Sequence, residues 1–518
     1  MAEQVENAGS FKFDKTYLKR TLWIGLAFFG ILLVWQLYNS YCSPMLSLLF
    51  VKHDFPNAIA TARATMDALV AQGKMDAKDA VINMKNILLY GGLTQDDYLS
   101  VQWKVGIVMA LDNIAALFIM PLFGRWSDKT KTKLGKRMPY IIIGSVVTAL
   151  VLPLIPFFFA SGMGSDNATI VGMIVGLIAT MVVIIVFMMS YRSPAVSLMP
   201  DLTPKPLRSR ANGIINIVGY VGGAVGSVFA IVIPVTSYID GTNRSLWMLE
   251  IPFIVCTLFL LGSLGLLLWK VRENKLHAEL DEEIKRGDAL GESAEEVNES
   301  GKLSKTNIRN LALILIAEVL WFMSLNAVET FQTNYCMFWL NTSSAGGAIM
   351  TVISGAASVV GFLVAGNIAD KIGRKWTIFI GICTVALCYV AYAFIPKSTS
   401  PEVTFADKLP WVFFILLPTI GLGSSLIHIC SFPLVTDYCN SDKIGRYTAL
   451  YYTASMFAQS ITPIVIGFIF LATSWQALPI YSASLMAAAG LVFFFVKAPK
   501  RNDKAENAKG LAALGDDD

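Results

Sequence analysis

About twelve apolar runs, each roughly 20 residues long, alternate with short polar turns along this chain. A run of that length crosses the hydrocarbon core of a bilayer. It does so as a helix or as part of a closed barrel, because only these satisfy every backbone N–H and C=O away from water. Residues of the hydrophobic class make up 55% of the 518, and charged residues only 15%, against about 25% charged in soluble domains. Most of the surface therefore meets lipid, and the chain reads as an all-α membrane protein. The spans are 21–42, 102–123, 140–160, 169–190, 212–233 and 246–269, then 308–329, 345–365, 376–395, 409–430, 447–471 and 475–496. Pro and Gly inside several of them are tolerated in membrane helices.

A charged motif follows the second span of each half. The first copy is Gly124-Arg-Trp-Ser-Asp128 with a basic run to Lys136-Arg137; the second is Gly366-Asn-Ile-Ala-Asp370-Lys-Ile-Gly373-Arg374-Lys375. Matching loops at matching places predict two pseudo-symmetric six-helix bundles, the repeat architecture of secondary transporters. The expected organisation is a bundle over 1–271 with an external insert at 52–99, a cytoplasmic linker at 272–306, a second bundle over 307–498 and a polar cytoplasmic tail at 499–518. The insert reads as amphipathic helix with Ala60, Ala64, Leu69 and Val70 among charges; a tolerated insertion is the favoured reading and an external cap over the entrance the alternative.

Charge placement sets orientation. Arg125, Lys129, Lys131, Lys133, Lys136 and Arg137, then Lys205, Arg208 and Arg210, then Lys371, Arg374 and Lys375, then Lys443 and Arg446 all fall on one side of an even span count. That side is the expected cytoplasm, with both termini inside. The polar start and the long first run predict an uncleaved signal-anchor. The net charge of +4 is scattered over loops and gives no footprint for nucleic acid. The seven cysteines lack metal spacing, and a structural disulfide is not expected. No Gly-x-x-x-x-Gly-Lys-Ser/Thr loop is present, which argues against ATP hydrolysis. The expected protein is a monomer in the bilayer, with no cofactor and no enzymatic activity.

Ionisable groups inside a membrane are costly and mark function by default. Asp112, beside Asn113, lies mid-way along the second span. Glu318 and Glu329 share one face of the seventh, about 16 Å apart, with Phe322 and Leu325 between them. Asp112 leads as ion-coupling group, followed by Glu329, which sits near the external end of its apolar run, and Glu318. Arg192 follows the fourth span near its cytoplasmic end, and His428 lies in the tenth. Gln36 and Asn39, Asn216 and Tyr220, and Gln459 add neutral partners, while Trp35 and Trp321 offer flat apolar faces. A sugar needs that mixture, although interhelical hydrogen bonding uses the same residue types.

The repeated loop resembles that of the major facilitator superfamily. The resemblance implies a conformational latch: Gly124, Asp128, Arg137, Asp201 and Arg210 in the first half, with Gly366, Asp370, Arg374, Asp437 and Arg446 in the second. A narrower resemblance covers most of the first half. Leu111-Asp112 through Asp128, Leu134 through Ile141, and Ser193-Pro194, Asp201-Leu202 and Arg208-Ser-Arg210-Ala-Asn212-Gly look like the sucrose/proton symporters and the glycoside–pentoside–hexuronide:cation symporters. Two departures matter. Sucrose symporters carry an Arg where this chain has Val196, and Arg192 stands one turn earlier. The sodium-coupled branch carries acids on the second and fourth spans, whereas 169–190 contains none. The expected function is import of a sugar or glycoside with H+, in preference to Na+, by alternating access at the plasma membrane of a bacterial cell. Rival readings are an exporter of drugs or amphiphiles and a non-transporting membrane sensor.

Overall fold

The computed structural model describes residues 14–77, 80, 84–94, 96–166, 168–204, 207–237, 243–295, 305–398, 408–437 and 444–497. Within its helices the side chains of 84–85, 208–210, 243–247, 287–295, 366–367, 370, 436–437 and 444–449 are not described. The first half contains α1 (Lys15–Asp54), α2 (Pro56–Ala71), α3 (Met84–Tyr90), α4 (Gln102–Lys129), α5 (Met138–Val151), α6 (Leu154–Gly164), α7 (Ile170–Asp201), α8 (Arg208–Val232) and α9 (Asn243–Lys270). The linker carries α10 (Glu273–Glu295). The second half contains α11 (Lys305–Phe338), α12 (Ala345–Ile372), α13 (Arg374–Ala393), α14 (Phe413–Asp437), α15 (Ile444–Ala472) and α16 (Ala477–Phe494). Among the described residues there are 12 helical segments long and apolar enough to cross a membrane.

The packing shows the repeat. In the first half α1 lies along α8 and α9, α4 along α7, and α5 and α6 along α7 and α9. In the second half α11 lies along α15 and α16, α12 along α14, and α13 along α14 and α16. Each pairing thus recurs six spans later, as two six-helix bundles require. The bundles meet through α4 against α15 and α8 against α12, contacts that the same repeat relates to each other.

Three features differ from the sequence expectation. The third span is two helices, because Pro153 lacks the N–H that would bond one turn back, so α5 ends and α6 restarts. Several helices outrun their apolar runs: α1 continues to Asp54 and α11 to Phe338. The insert also packs in another register. Ala58, Ala62 and Met66 are the buried stripe of α2, while Ala60 and Ala64 are exposed. Pro56 opens the helix and the larger Met66 anchors it, fixing the i, i+4, i+8 face.

The face that carries the insert is sealed. Every residue of α1 from Ser40 to Lys52 is buried, as is Thr330–Ala348 around the end of α11. Asn334 Nδ2 sits 3.2 Å from Ser43 Oγ, 3.0 Å from Ser47 Oγ and 3.0 Å from Gln102 Oε1. Ser344 N donates to Thr236 Oγ1 at 3.3 Å, Lys397 pairs with Asp96 at 2.9 Å, and Tyr98 stacks on Phe338 at 4.2 Å. Small residues let the backbones approach, which drives helix association where lipid offers no hydrophobic gain. A Cβ on Gly106 of α4 would lie 2.1 Å from the Pro463 carbonyl oxygen of α15.

Gly106→Val should therefore push α4 and α15 apart at this face. A single Cys at Ser47 in a Cys-free background, shielded in the parent, should then react about tenfold faster with a water-soluble maleimide, a shift of ~1.4 kcal/mol. Unchanged shielding would contradict the role given to Gly106.

Candidate functional site

Three charges from three helices lie within electrostatic range of one another. Asp112 comes from α4, Arg192 from α7 and Glu329 from α11, and Arg192 lies within electrostatic range of both acids. Asp112 is 4% exposed. Its Oδ1 accepts from the Asn113 backbone N–H at 2.6 Å and from Asn113 Nδ2 at 2.8 Å. Asn39 Nδ2 of α1 donates to Glu329 Oε1 at 3.3 Å, across the junction between the halves. Arg192 lies more than two turns before the end of α7, and Glu329 more than two turns before the end of α11. Neither is a helix-end group, contrary to what the apolar runs suggested.

Glu329 and Tyr220 are exposed although both lie mid-helix and within electrostatic range of each other. They line a cavity rather than a packed interface. Two tyrosines that the sequence reading passed over join the group: Tyr38 near Asp112 and Tyr389 near Glu329. Tyr38 stacks on Trp35 at 5.7 Å; their i, i+3 spacing beside Asn39 was the available signal.

The remaining candidates divide. Gln36, Asn216 and Gln459 are half-buried, and each donates within its own helix, to Ser40 Oγ at 3.1 Å, Asn212 O at 2.8 Å and Ser455 O at 3.3 Å. His428 is half-buried against the Phe322 ring at 5.4 Å. Trp321 is fully buried against Phe322 and Phe493 and presents no open face. Glu318 is also fully buried, with no hydrogen-bond partner on either carboxyl oxygen. Its electrostatic neighbours are Tyr451 and Tyr452 of α15, not the central charges. Periodicity puts Glu318 and Glu329 on one side of α11, yet α15 closes over one while the other opens into the cavity.

The first copy of the repeated motif is a closed ion-pair cluster. Arg137 pairs with Asp128 at 2.5 Å and Asp201 at 2.8 Å, donates to Ser127 Oγ at 2.5 Å, and Lys136 reaches Asp201 at 3.1 Å. Burial would lower the Arg137 pKa, but Asp201 and Asp128 outweigh it and hold the guanidinium above its ordinary value. Gly124 brings α4 close to α7, since a Cβ there would lie 2.8 Å from Ser193 Oγ. In the second copy Arg374 Nη1 meets Pro433 O at 3.4 Å. The side chains of Asp370, Asp437 and Arg446, like that of Arg210 and the surroundings of Gly366, lie outside the described residues.

A residue without any sequence signal organises this cluster. Glu273, the first residue of α10, accepts from three consecutive backbone N–H groups, those of Lys136, Arg137 and Met138, at 2.9 to 3.1 Å. These open α5, so the carboxylate satisfies the helix N-terminus and favours its dipole. Gly135 makes room: at φ +120 a Cβ would lie 2.1 Å from the Glu273 carboxylate. Asn274 Nδ2 donates to Thr132 O and Lys133 O at 3.0 Å each. The linker is thereby fixed to the motif loop.

A sequence profile described as Major Facilitator Superfamily matches residues 89–405 and 335–515. The sucrose transport protein SUC3 of Arabidopsis thaliana is 30% identical over 131 residues, 22% of this chain and 22% of that protein. The match thus spans less than a quarter of that relative's length. Among solved structures, a bacterial homologue of the iron transporter ferroportin in an inward-facing state superposes with a TM-score of 0.58 at 12% identity, over 94% of this chain and 100% of that one. A mutant of the nucleoside transporter NupG gives 0.55 at 13%, over 92% and 99%. The xylose transporter XylE from E. coli, in a partially occluded inward-open conformation, gives 0.50 at 14%, over 92% and 99%. At these identities the likeness to the solved structures is one of fold.

Replacing Glu273 by Ala leaves three N–H groups, those of buried Arg137 and Met138 and half-buried Lys136, without their charged acceptor. The expected cost is about 2 kcal/mol, read as a lower midpoint of thermal unfolding in detergent. Glu273→Gln, which keeps an acceptor, should lose less. Equal midpoints for the parent and both variants would show that the carboxylate does not organise the loop.

Proposed function

Because the chain belongs to the Major Facilitator Superfamily, we propose that it is a secondary active transporter that imports a sugar or glycoside with a cation, H+ in preference to Na+, by alternating access. The observation that carries this reading is that Asp112, Arg192 and Glu329, from three helices of both halves, lie within electrostatic range of one another. With all three ionised the cluster holds two negative charges against one positive. Removing an uncompensated charge from water costs several kcal/mol, so closing the cavity over it is disfavoured. One bound proton, on Asp112 in this reading, brings the sum to zero. Closure then depends on loading the cation, which couples ion to substrate.

Asn39, Gln36, Asn113, Asn216 and Gln459 supply amides for hydroxyl groups, and Trp35 and Tyr220 supply rings for C–H faces. The name of the curated relative, a sucrose transport protein, supports a sugar class, while Val196 in place of an expected Arg argues against sucrose itself. The basic loops orient the molecule with the insert outside and both termini in the cytoplasm. On that orientation the sealed face is external and the state is inward-facing. The latch around Arg137 then stands at the cytoplasmic mouth, holding the first half rigid while the halves rock about the cavity.

Two outcomes are expected in proteoliposomes. Asp112→Asn should abolish sugar accumulation driven by a proton gradient while substrate exchange survives; gradient-driven accumulation at the parent level would refute the coupling role. In the Ser47→Cys reporter background Asn334→Ala removes the bonds to Ser43 and Gln102, each worth about 1 kcal/mol net. It should shift the population toward the outward state and raise external labelling of a Cys at Ser47. Lys397→Ala should do far less, since an exposed ion pair contributes about 0–1 kcal/mol. The reverse ranking would place the external lock elsewhere.

A further inference from the structure

We propose that the groove between the start of α1 and the end of α9 is a binding site for the phosphate headgroup of an anionic lipid. The groove has a volume of about 170 Å³ and is lined by Thr16, Lys19, Arg20, Trp23, Lys270 and Leu276, among others. Three cations thus converge where two spans leave the apolar core and the linker begins. Like charges brought together repel unless an anion joins them.

The described residues do not supply that anion. Among the described residues none of Lys19, Arg20 and Lys270 forms an ion pair with a carboxylate. The flanking acids are engaged elsewhere. Asp14 accepts from the Tyr17 backbone N–H at 2.8 Å, Glu283 accepts from the Tyr17 hydroxyl, and Glu273 is held at the start of α5. Two of the three cations rest on rings instead. Lys270 Nζ lies 3.4 Å from the Trp269 ring centroid and 5.7 Å from that of Trp23, and Arg20 lies 5.2 Å from that of Tyr17. A cation on an aromatic face keeps N–H donors for a second partner.

The surroundings select a lipid over a free anion. Trp269, whose ring carries Lys270, is 66% exposed, an apolar flank at the level where Trp anchors spans to the membrane interface, and Leu18 and Leu22 on another face of the same helix turns are 40% and 43% exposed. A phosphodiester would meet the three cations and the Thr16 hydroxyl, and its acyl chains would run past Trp269. Basic pockets between span ends at an interface have this chemistry. The occupant would also strengthen the junction of α1 with the linker helix, which the Tyr17–Glu283 bond already makes.

The test uses the full chain, delipidated in detergent and titrated with phosphatidylglycerol or with phosphatidylcholine of the same acyl chains, bound lipid being counted by native mass spectrometry. Phosphatidylglycerol should be retained and phosphatidylcholine much less. Lys19→Gln, at an exposed position that cannot unfold the protein, should weaken phosphatidylglycerol retention about fivefold. Lys19→Gln with Arg20→Gln and Lys270→Gln should weaken it roughly a hundredfold, with thermal unfolding confirming that the variant folds. Equal retention by parent and variants overturns the proposal. So does displacement of phosphatidylglycerol by inorganic phosphate at matched concentration, which would make the groove a free-anion site.

Discussion

Lipid gives helices no hydrophobic reason to associate, so everything in this fold depends on close backbone approach and on polar groups satisfied inside the protein. Within the first half charged bonds stand beside neutral ones: Arg137 pairs with Asp128 and Asp201, Glu273 sits on three backbone N–H groups and Lys52 Nζ on the carbonyls of Gly162, Met163 and Ser165 at 2.6 to 2.8 Å, while the Tyr41 hydroxyl donates to Phe229 O and Ile233 O. Between the halves the buried bonds are amide and hydroxyl, as at Asn334, Ser344 and Thr236. Hydrogen bonds to charged groups contribute about 1.5–3 kcal/mol net, and neutral ones about 1. The first half therefore holds charged bonds stronger than the neutral ones of the junction. Water can replace a hydroxyl at the junction at little cost. The ion pair that crosses it, Asp96 with Lys397, is partly exposed and correspondingly weak.

The same helices carry both the central charges and the motif cluster. Asp112 and Asp128 lie on α4, about 24 Å apart along the axis, and Arg192 and Asp201 lie on α7. α4 and α7 pack together, drawn close by Gly124 against Ser193. The two charged layers act as rungs of one ladder. A change of charge at the upper rung cannot slide α4 past α7 without breaking the lower one, so the half responds as a body. Glu273 extends this rigidity into the linker, since the carboxylate that opens α10 also opens α5.

The spans were legible because length and apolarity are what a bilayer demands. Their ends were not, because hydropathy reports contact with lipid rather than helix. Where α1 and α11 continue inside protein, polar residues such as Asn334 and Gln332 fit a helix that no lipid touches. The central acids were legible because intramembrane charge is rare, but nothing in the sequence brings Asp112, Arg192 and Glu329 together. Trp321 and Glu318 show the limit of periodicity: it orders residues around one helix and cannot say which neighbour covers them. Glu273 was invisible, since a carboxylate at the start of a polar linker looks like any solvated charge until residues 136 to 138 appear beside it.

On the proposed reading, the imbalance of the central cluster is its essential property. Asp112 with Arg192 alone would be a neutral pair, and a cavity could close over it whether or not an ion had arrived. Glu329 comes from the other half and adds one negative charge too many. Closure then requires a cation, and because α11 belongs to the opposite bundle, the excess charge is sensed where the two halves must move together. Asn39 makes the same link in neutral form, donating from α1 to Glu329. An arrangement balanced within one half would be a stable contact; one balanced only by a third party makes movement conditional on that party.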